Sequence, residues 1–545
     1  MEKTMKFLSM AALALMGAVM TGCSSDSDEL FGEPQQPENK DKVETLTTTV
    51  SFNDGVAATR ALTEGGVKTF AVGDQIAVAY KNSTDEWVKA VSTALTADDI
   101  TNGGKSAKFT VTVSNADKTK DVKYIYPASI ADDYGFVDYK LLDVQDGSLT
   151  TLASSLDACQ GIGAWNGENL PALALENQFT ICKFKIKAGG SDITSSITQL
   201  TINDGFNTYT ITPTSSLNDI WVAIRSDEIG KCTYKIYAAK GKDLYTKTVS
   251  GKAFDKGKIY PINVTTTKVD GAISGQFTVN NSGKKVFFSQ GNLQAVCTST
   301  DSYGNTQETW TWQFATNQWD YIGGRSQSDS ETQTGNDYIN GNGSVSTAGT
   351  VDLFGWSTSL TYYGIHNSNN DDTYVDGSKP FNDWGNTMGS GWYTLDGGYN
   401  SGEWHYLFMS RSASTVNGTD NARFVKAYLF GTTHGIILFP DTYIHPAGVA
   451  APTGINKTND NSCWNYNQYS AQDWAKMEAA GCVFLPAAGK RTGTTLESVN
   501  VIGHYWSSSR KAFSGSYMLF FYDAGFGSTT FSFASGKAVR LVRNL

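Results

Sequence analysis

Gly481–Arg491 reads GCVFLPAAGKR, Gly503–Ser509 reads GHYWSSS and Ala538–Arg543 reads AVRLVR, and these three pieces decide how the C-terminal half is read. The apolar segments Val483–Leu485 and Ala538–Val542 predict two central strands of one small sheet. Between them Tyr505, Trp506, Phe513, Tyr517, Phe520, Phe521, Tyr522, Phe526, Phe531 and Phe533 are spaced by Gly and Ser. Alternation over part of this run predicts strands with one wet face. Rings among small polar residues also describe recognition surfaces, because an aromatic side chain brings large contact area at low entropy cost. The competing reading makes most of them β core.

Composition sets the frame around that stretch. The chain has 545 residues, more than one ordinary domain, with 40% hydrophobic, 12% aromatic and only 18% charged residues and 54 Gly. Such a turn-rich, aromatic-rich chain is expected to be mainly β. A net charge of −10 without a basic stripe argues against a nucleic-acid partner, which needs cations to neutralise phosphates.

The first residues form a targeting segment. Lys3 and Lys6 precede the apolar run Phe7–Met20, which is shorter than the ~20 residues of a spanning helix. The run ends in Met20-Thr21-Gly22-Cys23, which resembles a bacterial lipobox with Met in place of the usual Leu. That resemblance implies residues 1–22 as a lipoprotein signal peptide, Cys23 as the lipidated first residue and the outer membrane as a partner through the acyl chains. The following SSDSDE resembles the acidic export signal that sends lipoproteins of Bacteroidetes-type bacteria to the cell surface. Residues 23–44, acidic and then Pro-rich, can bury no core and are expected to be a tether.

Strand-like runs with turn signals fill the region from about Thr45 to Val264, among them TLTTTVSF, FAVGDQIAVAY, KSAKFTVTV and ICKFKIKAG. Their spacing predicts two antiparallel sandwiches, 45–175 and 176–264, with a seam near Gly167–Gln178. Ala58-Thr59-Arg60-Ala61, Phe70–Ile76 with Tyr80, Tyr124–Pro127, Phe184–Ile186 and Gly257–Ile262 resemble the fimbrillin family of surface lipoproteins. In that family an Arg-specific protease cuts near the N-terminus, and removal of the first strand opens a groove that a neighbouring subunit fills. The resemblance implies strand exchange with other fimbrial subunits and places Arg60 at the cut. The alternative leaves Arg60 in an ordinary loop and Thr45–Phe52 in its sheet.

Thr265–Gly275, TTTKVDGAISG, shows no hydrophobic period and is expected to be a linker. Beyond it come Lys285–Gln294, Trp312–Ala315, Gln318–Gly323, Asp352–Trp356, Gly402–Leu407 and Trp474–Glu478. The segment 402–409 is expected to be helical and Trp474–Glu478 a short amphipathic helix. With VFLPAAG, GHYWSSS and AVRLVR, this set resembles the C-type-lectin-like domains with a Fibrobacter-type paralogous core, over residues 276–545. The retroelement variable proteins use the same fold and vary residues between the last two motifs, which corresponds to Arg510–Gly536. The whole expected fold is therefore mainly β, a fimbrillin-like sandwich pair followed by an α+β C-type-lectin-like domain.

No HExxH, Walker A loop or GxSxG elbow occurs, so no enzyme is expected. Glu403 and His405 lie two apart, which on a helix places them on diverging faces, and they are expected to be structural. His366, His434, His445 and His504 show no metal-ligand spacing. The EPN, QPD and WND ligand motifs of sugar-binding C-type lectins are absent, although the oxygen-rich loop Asn367–Asp376 could hold Ca²⁺. Beyond that possible Ca²⁺ site, no cofactor is implied. Among the cysteines, Cys159 with Cys182 and Cys463 with Cys482 are candidate disulfides, with buried free thiols the alternative. Tyr505, Trp506, Tyr517, Tyr522 and Phe526 are the expected ligand-binding residues. The chain is read as a surface lipoprotein adhesin or fimbrial tip subunit that binds a glycan or protein, with a pilus anchor or stalk component lacking a ligand as the alternative.

Overall fold

The computed structural model describes residues 42–52, 69–225, 230–299, 309–322, 350–358, 363–365, 380–389, 391–459, 463–493, 495–511 and 515–545. It is mainly β. Among the described residues no helix is long and apolar enough to cross a membrane.

The first sheet has eight strands. Strand Val43–Phe52 lies inside it, antiparallel to Ser106–Ser114 on one side and parallel to Leu173–Asn177 on the other. Period-2 patterning explains why: in Ser106–Ser114 the residues Ala107, Phe109, Val111 and Val113 are buried while Lys108 and Thr112 face water. These side chains share one core with Val50, Phe70, Tyr80, Tyr124 and Tyr126. The chain leaves this sheet at Asn177 and enters the next at Phe179.

The second sheet has nine strands around a core of aliphatic residues that includes Ile186, Leu200, Ile211, Ile220 and Val222. Its outer strands Val144–Gln145 and Ile220–Arg225 are joined by a side chain. The Gln145 amide donates to Ala223 O at 2.7 Å and accepts from Ala223 N at 2.9 Å, standing in for a peptide unit.

Thr265–Gly275 is not a linker. Strand Ile259–Ile273 runs through it without a break. Thr and Val are good strand formers, and the pattern hides because this strand changes neighbours along its length. It carries the second sheet directly into the C-terminal region, where Tyr237, Leu244, Val269 and Ala272 pack with Phe287, Phe314 and Trp506 in one core. Gln276 Nε2 donates to Thr201 Oγ1 at 2.7 Å, and Gln199 Nε2 to Thr442 Oγ1 at 2.7 Å. A Cβ on Gly275 would stand 2.0 Å from Gly481 O, so this junction requires glycine.

The C-terminal region consists of small sheets and two helices, Gly402–Met409 and Ala471–Ala479. Ser470 and Asp473 form a capping box that starts the second helix. Val483–Pro486 and Leu541–Asn544, expected as central strands of one sheet, belong to two different sheets. Leu541–Asn544 is flanked on both sides, by Lys285–Phe288 and Trp392–Thr394, and has no free edge. Val483–Pro486 is an edge strand on Thr433–Leu438. Of the two readings of the cysteines, the buried-thiol one holds for Cys159, Cys182 and Cys482, which carry no disulfide, and the Cys463 side chain lies outside the described residues. Cys159 Sγ instead donates to Asn177 Oδ1 at 2.9 Å.

Candidate functional site

Three strands, Ile502–Lys511, Gly515–Tyr522 and Gly525–Phe531, form an antiparallel sheet that carries most of the sequence-predicted rings. The last two are joined through Asp523 and Ala524, so Tyr522 stands opposite Gly525, Phe521 opposite Phe526 and Phe520 opposite Gly527. Alternation then sorts the rings between two faces.

One face is core. Tyr505 is fully buried and stacks on Phe521 with ring centroids 5.9 Å apart, and its hydroxyl donates to Pro486 O at 2.8 Å. Phe521 lies across Gly503, where a Cβ would meet its ring at 2.1 Å. Phe526 stacks on Phe424 at 5.2 Å and touches Phe408 at 4.5 Å. Trp506, on the other face, is also fully buried, and its Nε1 donates to Phe354 O at 2.7 Å. Tyr505 and Trp506 therefore have no surface for a ligand, and Phe526 is engaged by the core. Burial of these rings with satisfied polar tips is a packing role.

Tyr522 and Phe520 differ. Their planes are 13° apart with centroids at 6.3 Å, and the Tyr522 residue is 37% exposed. Both rings lie over glycine. A Cβ on Gly525 would be 2.2 Å from the Tyr522 ring, and one on Gly527 would be 3.2 Å from the Phe520 ring. Only a strand without side chains at these two cross-strand positions lets both rings recline on the sheet. The product is a flat pair of aromatic faces. Phe520 was not singled out from the sequence as a contact residue. Its signal was available, because the hairpin FFYDAGFG places alternate aromatics opposite alternate glycines once its two-residue turn is recognised. Tyr517 is half-buried beside Gly397 and, by alternation along the strand, lies on the opposite face from Phe520 and Tyr522.

The covered end of this face holds an unusual charge arrangement. Lys537 is buried with its Nζ 4.1 Å from the Phe531 centroid and 4.9 Å from Trp506, donating to Ser535 Oγ at 2.8 Å. Burial, then the nearby Lys490 charge, pushes its pKa well below that of an ordinary lysine. His504 is buried beside it, and burial followed by the Lys537 and Lys490 charges pushes its pKa down to about 3. Its Nδ1 is buried without a hydrogen-bond partner. A neutral imidazole under a low-dielectric cover fits these facts.

Glu403 and His405 fall on helix Gly402–Met409. Glu403 is bound to Lys284 Nζ at 2.6 Å and accepts from Asp396 N at 3.1 Å, which ties the helix start to the strand before it. This is a structural pair of contacts with no partner role for His405. Among the described residues no group of three or more His, Cys, Asp or Glu is placed to hold a metal ion. Cys23, Arg60, Phe513, His366 and the loop Asn367–Asp376 lie outside the described residues.

No family model and no curated protein matches the chain. Its fold is similar to solved structures from Parabacteroides and Bacteroides species. One is a fimbrial assembly protein from Parabacteroides distasonis, at 13% identity and TM-score 0.24, covering 46% of this chain and 96% of that one. Another is a putative cell adhesion protein from Bacteroides fragilis, at 11% identity and TM-score 0.24, covering 52% and 96%. A third is a putative cell adhesion protein from Bacteroides uniformis, at 12% identity and TM-score 0.24, covering 41% and 97%.

Proposed function

We propose that this chain is a surface-anchored adhesin or fimbrial tip subunit whose C-terminal, C-type-lectin-like region binds a glycan or protein ligand on the ring pair Phe520 and Tyr522. The observation that carries the reading is the flat, partly exposed aromatic pair laid on Gly525 and Gly527. Parallel ring faces suit the C–H face of a sugar ring or an apolar protein patch, and rigid aromatics lose little entropy when they bind.

Anchoring through Cys23 rests on the lipobox-like Met20–Cys23 and the acidic tether behind it. Assembly by strand exchange rests on the sequence around Arg60 and on the place of the first strand. Removing Val43–Phe52 would free the edges of Ser106–Ser114 and Leu173–Asn177 and uncover their core side, including Phe109 and Val111. The outer membrane or a fimbrium on it is then the location.

The test is binding of the full chain to a printed glycan array and to mucin-coated surfaces, for wild type, Tyr522→Ala and Phe520→Ala. Tyr522→Ala should lose most of the binding while thermal unfolding stays nearly unchanged, because the ring is substantially exposed. Unchanged binding by a folded Tyr522→Ala, Phe520→Ala double variant would remove the platform from the reading.

A further inference from the structure

Strand Ile259–Ile273 changes partner halfway along. Its first half runs parallel to Phe179–Ala188, from Ile259 opposite Ile181 to Thr266 opposite Ala188. Its second half is antiparallel to Asp243–Lys252, with Thr267 opposite Thr246 and Lys268 opposite Tyr245. Past Thr246 the two strands part, and Lys247–Lys252 and Pro261–Thr265 border an open seam with no ladder between them. The opposite seam of the same sandwich is closed by the Gln145 amide on Ala223. One side of this sandwich is shut and the other is open.

The open side leads into a cavity of about 520 Å³. That volume falls within the roughly 300–1,000 Å³ of small-molecule sites and is several times the ~150 Å³ that accepts benzene. Its floor is the sandwich core itself, with Phe184, Ile202, Ile224, Ile236 and Val264 all buried. Phe254 forms a wall, edge-on to Tyr234 at 5.2 Å and to Tyr260 at 4.9 Å. Lys247 and Lys252 also line the cavity and are exposed, and neither has an ion-pair partner among the described residues. The nearby carboxylate of Asp255 is occupied by the Tyr260 hydroxyl at 3.0 Å.

We propose that this seam binds an amphipathic anion of the fatty-acid class. The hydrocarbon chain lies on the apolar floor, and the carboxylate lies at the mouth, which Lys247 and Lys252 make cationic along one strand. A hydrocarbon interior removes apolar surface from water without needing hydrogen bonds, and a cationic mouth supplies the charge complement. A peptide strand is the other shape two facing edges suggest. It is less well served here: Ile181 N bonds to Lys258 O, so Pro261 faces the seam and offers it no N–H.

The experiment is a titration of the full chain with cis-parinaric acid, read by its fluorescence, with palmitate and hexadecanol as competitors. Saturable binding is expected, displaced by palmitate more readily than by hexadecanol. The surface double variant Lys247→Glu, Lys252→Glu should bind at least about tenfold more weakly. Val249→Trp, at the mouth, should block uptake, and because Val249 is only half-buried the variant keeps the core intact. No saturable signal from the folded wild type overturns the proposal. So does binding that neither substitution weakens, and so does capture of an alternating Val/Ser hexapeptide that palmitate fails to displace.

Discussion

Between Val43 and Ile273 the buried polar side chains are those of Thr, Ser, Asp and Gln, whereas beyond Gln276 they include Arg411, Lys426, Arg491, Lys537 and Arg540. The difference follows from how each part satisfies its backbone. The sandwiches are built from long ladders, such as the nine paired positions between Val43–Ser51 and Ser106–Ser114, and ladders consume their own N–H and C=O groups. The C-terminal region is built from short strands joined by irregular chain, which leaves buried carbonyls in need of donors. A guanidinium carries five N–H donors and supplies them. Arg411 donates to Leu407 O, Arg423 O and Phe439 O and pairs with Asp441 at 2.9 Å. Arg491 donates to Gly493 O and Leu353 O. Arg540 reaches Gln318 Oε1 at 2.9 Å, and Gln318 in turn donates to Cys482 O at 3.0 Å and Glu478 Oε1 at 3.1 Å. In the N-terminal sheets the buried side chains that serve the backbone this way include neutral ones, the Gln145 amide on Ala223 and the Thr48 and Tyr124 hydroxyls on Pro171 O.

The strongest way to break this comparison is Arg411→Met. It takes the cation from the Asp441 carboxylate, leaving it only Thr278, and the donors from three carbonyls, and should cost about 3–5 kcal/mol, seen as an early thermal transition in tryptophan fluorescence. A loss below ~1 kcal/mol would mean the guanidinium is incidental to the region's stability. The matching change in the sandwich is Gln145→Leu, which keeps the volume and removes both bonds to Ala223. Three buried backbone groups, Ala223 N, Ala223 O and Leu142 O, then lose this partner, and about 1–3 kcal/mol should be lost, read by urea unfolding. A loss as large as that of Arg411→Met would erase the distinction between the two parts.

The last comparison concerns pH. His504 has a folded pKa near 3, below the ordinary value near 6.5. Between those values the unfolded chain binds a proton that the folded chain refuses, so stability is full above about pH 6.5 and falls as pH drops towards 3. The slope should reach about 1.4 kcal/mol per pH unit and should flatten in His504→Gln, measured as thermal midpoint against pH. An unchanged slope in that variant would assign the acid sensitivity to other groups.

Much of the fold was legible where the signal is local. Alternation marks Ser106–Ser114, and the Ser470–Asp473 box with an amphipathic pattern marks the helix at Ala471–Ala479. Local signals failed where pairing decides. Thr265–Gly275 looks polar because its strand serves two different neighbours in turn. Val483–Leu485 and Ala538–Val542 look alike as apolar runs, yet occupied edges send them to separate sheets. At the candidate site the aromatic run itself was visible, but the division into buried and platform rings was not. That division depends on which residues stand opposite glycine, and Tyr505 and Trp506 look no less available in sequence than Tyr522.

The sequence by itself determined a mainly β chain, the two short helices and an aromatic C-terminal stretch. These follow from period, caps and composition, which act over a few residues. Only the tertiary structure decided that strand Ile259–Ile273 fuses the sandwich to the C-terminal region. It also decided that one sandwich seam is closed by Gln145 while the other stays open, and that Tyr522 and Phe520 lie flat on Gly525 and Gly527. Each of these depends on contacts between strand neighbours that no local pattern encodes, because a ladder's partner is chosen by which edges remain free once the rest of the chain has packed.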